Sequence, residues 1–281
     1  MNSFFKVMAT LLSVLSIVTA NLNDIFNGDI YPYESVTRTV GLETLQRTQG
    51  VTNDGEYWYF SGKNMLSKVN IETNETVLVN YNPYEAFEET GIDHIGGIGY
   101  YNGYIYASLE DSHVFNFPAV AVYDAETLEY TGKMTVLDTQ LMTRGCPWVC
   151  CDAQSGYFYV AQCDDSKEIF CYDLETMEYV KSIPLSYPID EIQGAEVYEG
   201  CLYAATNDPT RAVYRIDLSD GTVTKYFDRI MFYSEHIDNL GGEGEGITVL
   251  EMEDGTVFHA LDIGTLFIDS NLRHYKPVES E

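Results

Sequence analysis

Residues Gln193-Gly194-Ala195-Glu196-Val197-Tyr198-Glu199-Gly200-Cys201-Leu202-Tyr203-Ala204-Ala205 read as one β-hairpin: a polar, glycine-containing opening, a strand, a tight turn and a second strand. Glu199-Gly200 suits a turn whose central residues need positive φ. Tyr, Val, Leu and Ala suit a pleated, half-buried surface. A third strand follows over Ala212 to Ile216 and closes on Asp217 and Asp220-Gly221, a turn signal in which an acidic side chain accepts local backbone N–H groups.

The same order of events recurs along the chain with a period of about fifty residues. One unit opens Gln49-Gly50-Val51-Thr52, turns at Asn53-Asp54-Gly55, runs Tyr57-Trp58-Tyr59-Phe60 and closes after Leu66 to Ile71 on Glu72-Thr73. The next opens His94-Ile95-Gly96-Gly97-Ile98, turns at Asn102-Gly103, runs Tyr104-Ile105-Tyr106-Ala107 and closes with Asp124-Ala125-Glu126-Thr127. A third opens Pro147-Trp148-Val149-Cys150, turns at Ser155-Gly156 and closes with Asp173-Leu174-Glu175-Thr176. The last opens Gly244-Glu245-Gly246-Ile247-Thr248, turns at Asp254-Gly255 and runs Val257-Phe258-His259-Ala260-Leu261. Five such units predict an all-β chain: a five-bladed β-propeller of four-stranded antiparallel blades. Ser35 to Val40 alternates in character and is expected to close the ring as an added strand of the last blade, which Thr265 to Tyr275 completes. Helix is expected only as a short turn over Tyr84 to Thr90.

The first residues read as a secretory signal. Lys6 precedes an apolar stretch from Val7 to Val18, and Val18-Thr19-Ala20 has the small-residue pattern of a cleavage site. The expectation is a leader over 1–20 and a single secreted, extracellular domain over 21–281. The formal net charge is −29. Such a surface repels nucleic acid and anionic membranes, so neither is expected as a partner. It suits calcium, a cationic partner or plain solubility. The 23 Tyr, 13 Phe and 2 Trp exclude a disordered acidic chain. Six cysteines behind a leader predict disulfides. A hairpin centred near Ser155 places Cys146 opposite Cys163, so these two are expected to pair. No histidine lies among the cysteines, which disfavours zinc. Asn74-Glu75-Thr76 is a glycosylation sequon on an exposed turn.

In a propeller the opening residues of each unit gather around the central channel, where ligands bind at a mouth. The candidates are therefore Gln49, Asp93, His94, Trp148, Gln193, Glu196, Glu243 and Glu245. Glu196, Glu245 and His94 are the expected acid–base groups, with a small molecule held by Gln49, Gln193, Trp148 and Glu243. Asp93, Glu196 and Glu245 offer oxygen ligands to Ca²⁺, the one cofactor expected. Among the other histidines, His259 sits in an apolar strand and is expected to be a satisfied core group. His113 and His236 are expected near a mouth, and His274 in solvent. There is no GxSxG, HExxH or paired CxxC motif.

The unit openings resemble those of secreted five-bladed propellers of the glutaminyl cyclotransferase type. Gln49-Gly50-Val51 resembles that family's Gln-Gly-Leu. Ala195 to Ala204 resembles its Leu-Glu-Tyr-Val-x-Gly-x-x-Tyr-Ala strand pair, and Gly244-Glu245-Gly246-Ile247-Thr248 its Gly-Glu-Gly-x-Thr segments. The resemblance implies a pocket for an N-terminal glutamine with Glu196 as proton shuttle. Pro147-Trp148-Val149-Cys150 departs from the family's Gly-Glu-Gly-Trp-Gly. The chain is also similar in outline to gluconolactonase-like propellers, which implies hydrolysis of lactones or esters around a channel Ca²⁺.

Overall fold

The computed structural model describes residues 31–111, 114–229, 242–264 and 268–279. The expected leader, His113 and His236 lie outside these residues. Five four-stranded antiparallel sheets form the blades. Blade 1 holds β2 (Gly50–Asn53), β3 (Tyr57–Gly62), β4 (Met65–Asn70) and β5 (Thr76–Asn80). Blade 2 holds β6 (His94–Tyr101), β7 (Tyr104–Glu110), β8 (Ala119–Asp124) and β9 (Tyr130–Val136). Blade 3 holds β10 (Cys150–Asp152), β11 (Tyr157–Val160), β12 (Ser166–Asp173) and β13 (Tyr179–Ile189). Blade 4 holds β14 (Ile192–Tyr198), β15 (Cys201–Thr206), β16 (Val213–Asp217) and β17 (Val223–Phe227).

Blade 5 is built from both ends of the chain. Strands β18 (Gly244–Val249), β19 (Phe258–Ile263) and β20 (Asp269–Tyr275) are completed by β1 (Ser35–Val40), which pairs antiparallel with β20 from Ser35↔His274 to Val40↔Asp269. The ring is thus closed by the strand that alternation in the sequence singled out. The short helix between blades 1 and 2 is a 3-10 turn over Glu85–Thr90.

The blades are glued by five apolar cores, one in each gap between neighbours. Each core takes one residue from a unit opening at an equivalent position: Val51, Ile98, Val149, Ala195 and Ile247. Full burial of such an aliphatic side chain is worth roughly 1.5–3 kcal/mol, so the five gaps share the stability of the ring.

The hairpins at the closing ends of the third strands show why Asp-x-x-Thr repeats. Asp124 Oδ1 accepts the backbone N–H groups of Glu126 and Thr127, both at 2.9 Å. Asp173 Oδ1 accepts those of Glu175 and Thr176 at 2.9 and 2.8 Å. Those backbone bonds hold both carboxyls below the usual carboxylate range. The chain then passes through a left-handed residue, Leu128 at φ 57° or Met177 at φ 59°. Both of these side chains are buried in the inter-blade cores.

The inner strands all run the same way along the axis, so the propeller has two unlike faces. At the ends of β2, β6, β10 and β14 the connections are tight turns. At their beginnings lie the long connections, including 81–93 and 137–149. The first is called here the turn face and the second the loop face. Variable loops on a rigid scaffold are where sites are usually built.

Two expectations are corrected. No disulfide joins Cys146 to Cys163, and all six cysteines are free thiols. The β10–β11 ladder stops at Cys150↔Tyr159, and the chain before Cys150 peels away from the hairpin. Cys146 turns into the core between blades 2 and 3, while the Cys163 carbonyl accepts Ile192 N–H at the start of blade 4. His274 is not solvated but 6% exposed, paired with His259 inside blade 5. His259 itself is a satisfied core group, as expected: its Nε2 lies 2.8 Å from the Leu250 carbonyl and its Nδ1 2.6 Å from His274 Nδ1.

Candidate functional site

The channel is not an open pore, because its middle is closed by backbone. Four unit openings carry a glycine at the same level, Gly50, Gly97, Gly194 and Gly246, and the third carries Trp148. A Cβ on Gly50 would stand 2.7 Å from Gly97 Cα, one on Gly246 2.9 Å from Val51 N, and one on Gly97 2.9 Å from Trp148 Cβ. Only glycine lets main chains come this close. Hydrogen bonds cross the blade gaps here: Gly246 N–H to the Gln49 carbonyl at 3.1 Å, and Gly97 N–H to the Pro147 carbonyl at 2.7 Å. This collar separates the candidate residues into two groups.

On the loop-face side stand Gln49, Asp93, His94, Gln193, Glu243 and Glu245. Gln49 donates its amide N–H to the Thr48 carbonyl at 2.6 Å, which fixes the amide so that Oε1 faces His94 Nε2 at 2.5 Å. An amide oxygen only accepts, so His94 Nε2 carries the proton. On the other edge of the ring, His94 Nδ1 lies 2.8 Å from Glu110 Oε1, and Glu110 Oε2 accepts the Cys146 N–H at 3.1 Å. The imidazole is thereby held between three blades with one carboxyl behind it, the arrangement that orients a histidine for proton transfer. Asp93 anchors by its backbone to the Glu110 carbonyl.

Glu245 is 2% exposed. Burial, then the neighbouring Glu243 carboxyl that hydrogen-bonds it, pushes Glu245 well above the usual carboxylate range. Glu245 is thus the member of this carboxyl contact that keeps its proton. Beside them lies a network around Asp262. Arg229 Nη1 binds Asp262 Oδ1 at 2.8 Å and Arg273 Nε binds Oδ2 at 3.1 Å, while Arg211 Nη1 stays 3.9 Å away. Gln49 ties the two centres together, since its side chain holds His94 and its carbonyl holds the residue after Glu245.

On the turn-face side stands Glu196. Its Oε1 takes the Cys150 thiol at 3.6 Å and the Val197 N–H at 3.3 Å, and its Oε2 takes the Thr248 hydroxyl at 3.3 Å. Burial outweighs the three hydrogen bonds and pushes the Glu196 carboxyl up to about 7. The same burial, together with Glu196, pushes the Cys150 and Cys151 thiols far up, so both stay protonated. A raised carboxyl favours the fold below its unfolded value and disfavours it as pH climbs toward 7. Glu196→Gln is therefore expected to gain on the order of 2 kcal/mol at pH 8 relative to wild type and little at pH 5. Urea melts at the two pH values check this, with ¹³C titration of the carboxyl as a direct readout.

Trp148, expected at the mouth, is fully buried in the core between blades 3 and 4. It occupies the collar level, where a side chain has no route to the axis except through neighbouring backbone. Asp93, Glu196 and Glu245 do not converge. Among the described residues no three His, Cys, Asp or Glu side chains are grouped to hold a metal.

The family described as a repeat of unknown function, DUF6923, matches residues 97–242. The chain belongs to this family. The DUF6923 span runs from the collar glycine of blade 2 through blades 3 and 4. It takes in Trp148, Gln193, Glu196 and Arg211 and leaves Gln49, His94, Glu243 and Glu245 outside. No curated protein matches the chain. Among solved structures it is similar to hydrazine synthase of Kuenenia stuttgartiensis at 17% identity and a TM-score of 0.44, with 84% of this chain and 65% of that one covered. The WD40 repeats of RRP9 align at 8% identity and 0.48, covering 83% and 62%. The computationally designed Ika8 protein aligns at 9% and 0.40, covering 80% and 57%. The DUF6923 chain thus spans less than two thirds of the length of each of these structures.

Sequence reasoning missed Glu110, Asp262 and the arginines. Glu110 ends an apolar second strand after Ala107-Ser108-Leu109, and Asp262 stands one residue before the end of another, after Ala260-Leu261. A charge closing such a run is a readable signal. Arg211 and Arg229 sit in connections and carry no local sign of their burial.

Proposed function

We propose that the chain is an exported acid–base enzyme that hydrolyses or cyclises a small acyl compound at the loop-face mouth of its propeller. One observation carries this reading: Gln49 joins two proton-bearing centres, His94 with Glu110 on one side and Glu245 with Glu243 on the other. A substrate carbonyl oxygen taking the place of Gln49 Oε1 receives the His94 Nε2–H, which stabilises charge as it develops on that oxygen. Of the two carboxyls, the ionised one removes a proton from the attacking water or amine. The protonated one returns a proton to the leaving group. Lactones, short esters and N-terminal glutaminyl peptides all meet this description. Glu196 lies beyond the collar and takes no part in these steps.

The test is turnover of those three substrate classes by wild type, Glu245→Gln and His94→Asn. Each substitution is expected to lower kcat by about 10²-fold or more with the melting temperature within a few degrees. Absence of turnover on all three classes, or full activity in Glu245→Gln, rejects the reading.

A further inference from the structure

We infer that Arg211 is a carboxylate anchor, so that the small molecule taken at the loop-face mouth carries a carboxylate group. This rests on reading that mouth as the ligand site and names the class of ligand it takes.

Three guanidinium groups surround Asp262, and only two are satisfied by it. Arg229 uses four of its five donors: besides Asp262 it donates to the carbonyls of Arg211 at 2.6 Å, Thr206 at 2.7 Å and Leu261 at 3.3 Å. Arg273 takes the second Asp262 oxygen and lies 4.7 Å from the Tyr33 ring centre. Arg211 is left over. Its nearest acid oxygen is 3.9 Å away, beyond hydrogen-bond range, and its Nε is buried with no hydrogen-bond partner. Native proteins leave few buried donors unpaired, and a guanidinium presents its Nε and Nη donors as a planar fork that matches a carboxylate.

The backbone that carries Arg211 is itself held. Arg211 sits at φ 48° in the 207–212 connection, with its N–H on the Asp208 carbonyl at 2.8 Å. Asp208 Oδ1 in turn accepts the N–H groups of Thr210 and Ala212 at 3.0 and 2.9 Å. The Arg211 side chain lies against Gly244, where a Cβ would stand 3.2 Å from its Cδ. The spare donors are thus delivered one residue from Glu245. Asp262 supplies one negative charge to three positive ones, and Glu245 is raised by its own burial. The surplus is positive, within a chain of net charge −29. A monoanionic carboxylate fits this better than a phosphate dianion, which brings a second negative charge beside Glu243.

The experiment reads binding without turnover. In wild-type protein labelled with ¹⁵N-arginine, the Arg211 Nε–H signal is assigned by its loss in Arg211→Gln. It is then followed during titration with acetate, propionate and succinate at constant ionic strength. A saturable downfield shift is expected. Calorimetry of the same ligands is expected to show at least tenfold weaker binding to Arg211→Gln. Arg211→Lys, which keeps the charge without the fork, is expected to fall between. No saturable shift in wild type, equal binding by Arg211→Gln, or tighter binding of inorganic phosphate than of the carboxylates overturns the inference. Carboxylate binding without turnover of any substrate class leaves this inference standing and removes the enzyme reading. Turnover of neutral acyl compounds without carboxylate binding does the reverse.

Discussion

Gly194→Ala is expected to destabilise the protein by about 3 kcal/mol, at the upper end of what overpacking costs. The new Cβ would stand 2.5 Å from Gly246 Cα and 3.1 Å from Ile247 N, both main-chain atoms that cannot turn aside as a side chain does. Relief requires blades 4 and 5 to part, which loosens the core they share. For a domain of this size the melting temperature should fall by roughly 6–12 °C. Gly200→Ala is the control. Gly200 lies in the turn-face hairpin of the same blade at φ 76° with nothing within 4 Å of an added Cβ, so it pays backbone strain alone, about 1 kcal/mol. Calorimetry of both variants decides the matter: a Gly194→Ala melt no lower than that of Gly200→Ala would mean that the collar is not in contact.

Acid is expected to loosen the closure of the ring through the His259–His274 pair. The Leu250 carbonyl can only accept, so His259 Nε2 carries a proton and its Nδ1 is bare. His274 Nδ1 then donates to His259, and its Nε2 accepts the hydroxyl of Thr37, 3.0 Å away on β1. Both rings are neutral and Trp58 packs over them, its ring centre 5.0 Å from that of His259. Burial lowers His259 to about 4 and lowers His274 as well. A depressed histidine contributes stability that is complete above its unfolded value of 6.5 and lost as pH falls through the folded one. The window is pH 6.5 to 4 and the loss about 3 kcal/mol. Glu196 works in the opposite sense over pH 4.5 to 7, so global melts mix the two. Hydrogen exchange of the β1 amides isolates the histidine effect. The protection factors of Thr37 and Thr39 should drop about a hundredfold between pH 7 and 4, and His259→Gln should flatten that slope. Unchanged protection at pH 4 would show that the pair does not hold β1.

Loss of the expected disulfide changes the compartment argument. The six thiols no longer speak for an oxidising medium, and the exported reading rests on residues 1–20 and on the acidic charge. The charge bears on partners too. Arg47 and Arg229 are buried and Arg211 and Arg273 nearly so, but Glu110, Asp111, Glu245, Asp262 and Asp269 are buried as well, so the exterior keeps the acidic balance of the composition.

Blade number, strand order, the hairpin turns and even the closing strand Ser35–Val40 were legible in the sequence. Each depends on residues within a few positions of one another: Asn-Gly and Asp-x-x-Thr turns, strand alternation, a glycine at four of the five openings. The grouping of the site was only half legible. Reading every opening residue as a mouth residue placed Glu196 with His94 and Glu245, three residues too far along its strand. It also placed Trp148 at the axis. Local pattern cannot show that four glycines would close the channel between these groups.

The repeat by itself determined that five β-units form a ring with polar openings toward the axis, because turn chemistry and strand periodicity are short-range properties. Tertiary structure alone decided which polar groups share a mouth. Gln49 meets His94, Glu245 meets the arginines of another blade, and Arg211 is left with spare donors only after the ring has closed. These contacts join residues far apart in the chain, and the main-chain approach that sorts them exists only when all five blades are in place.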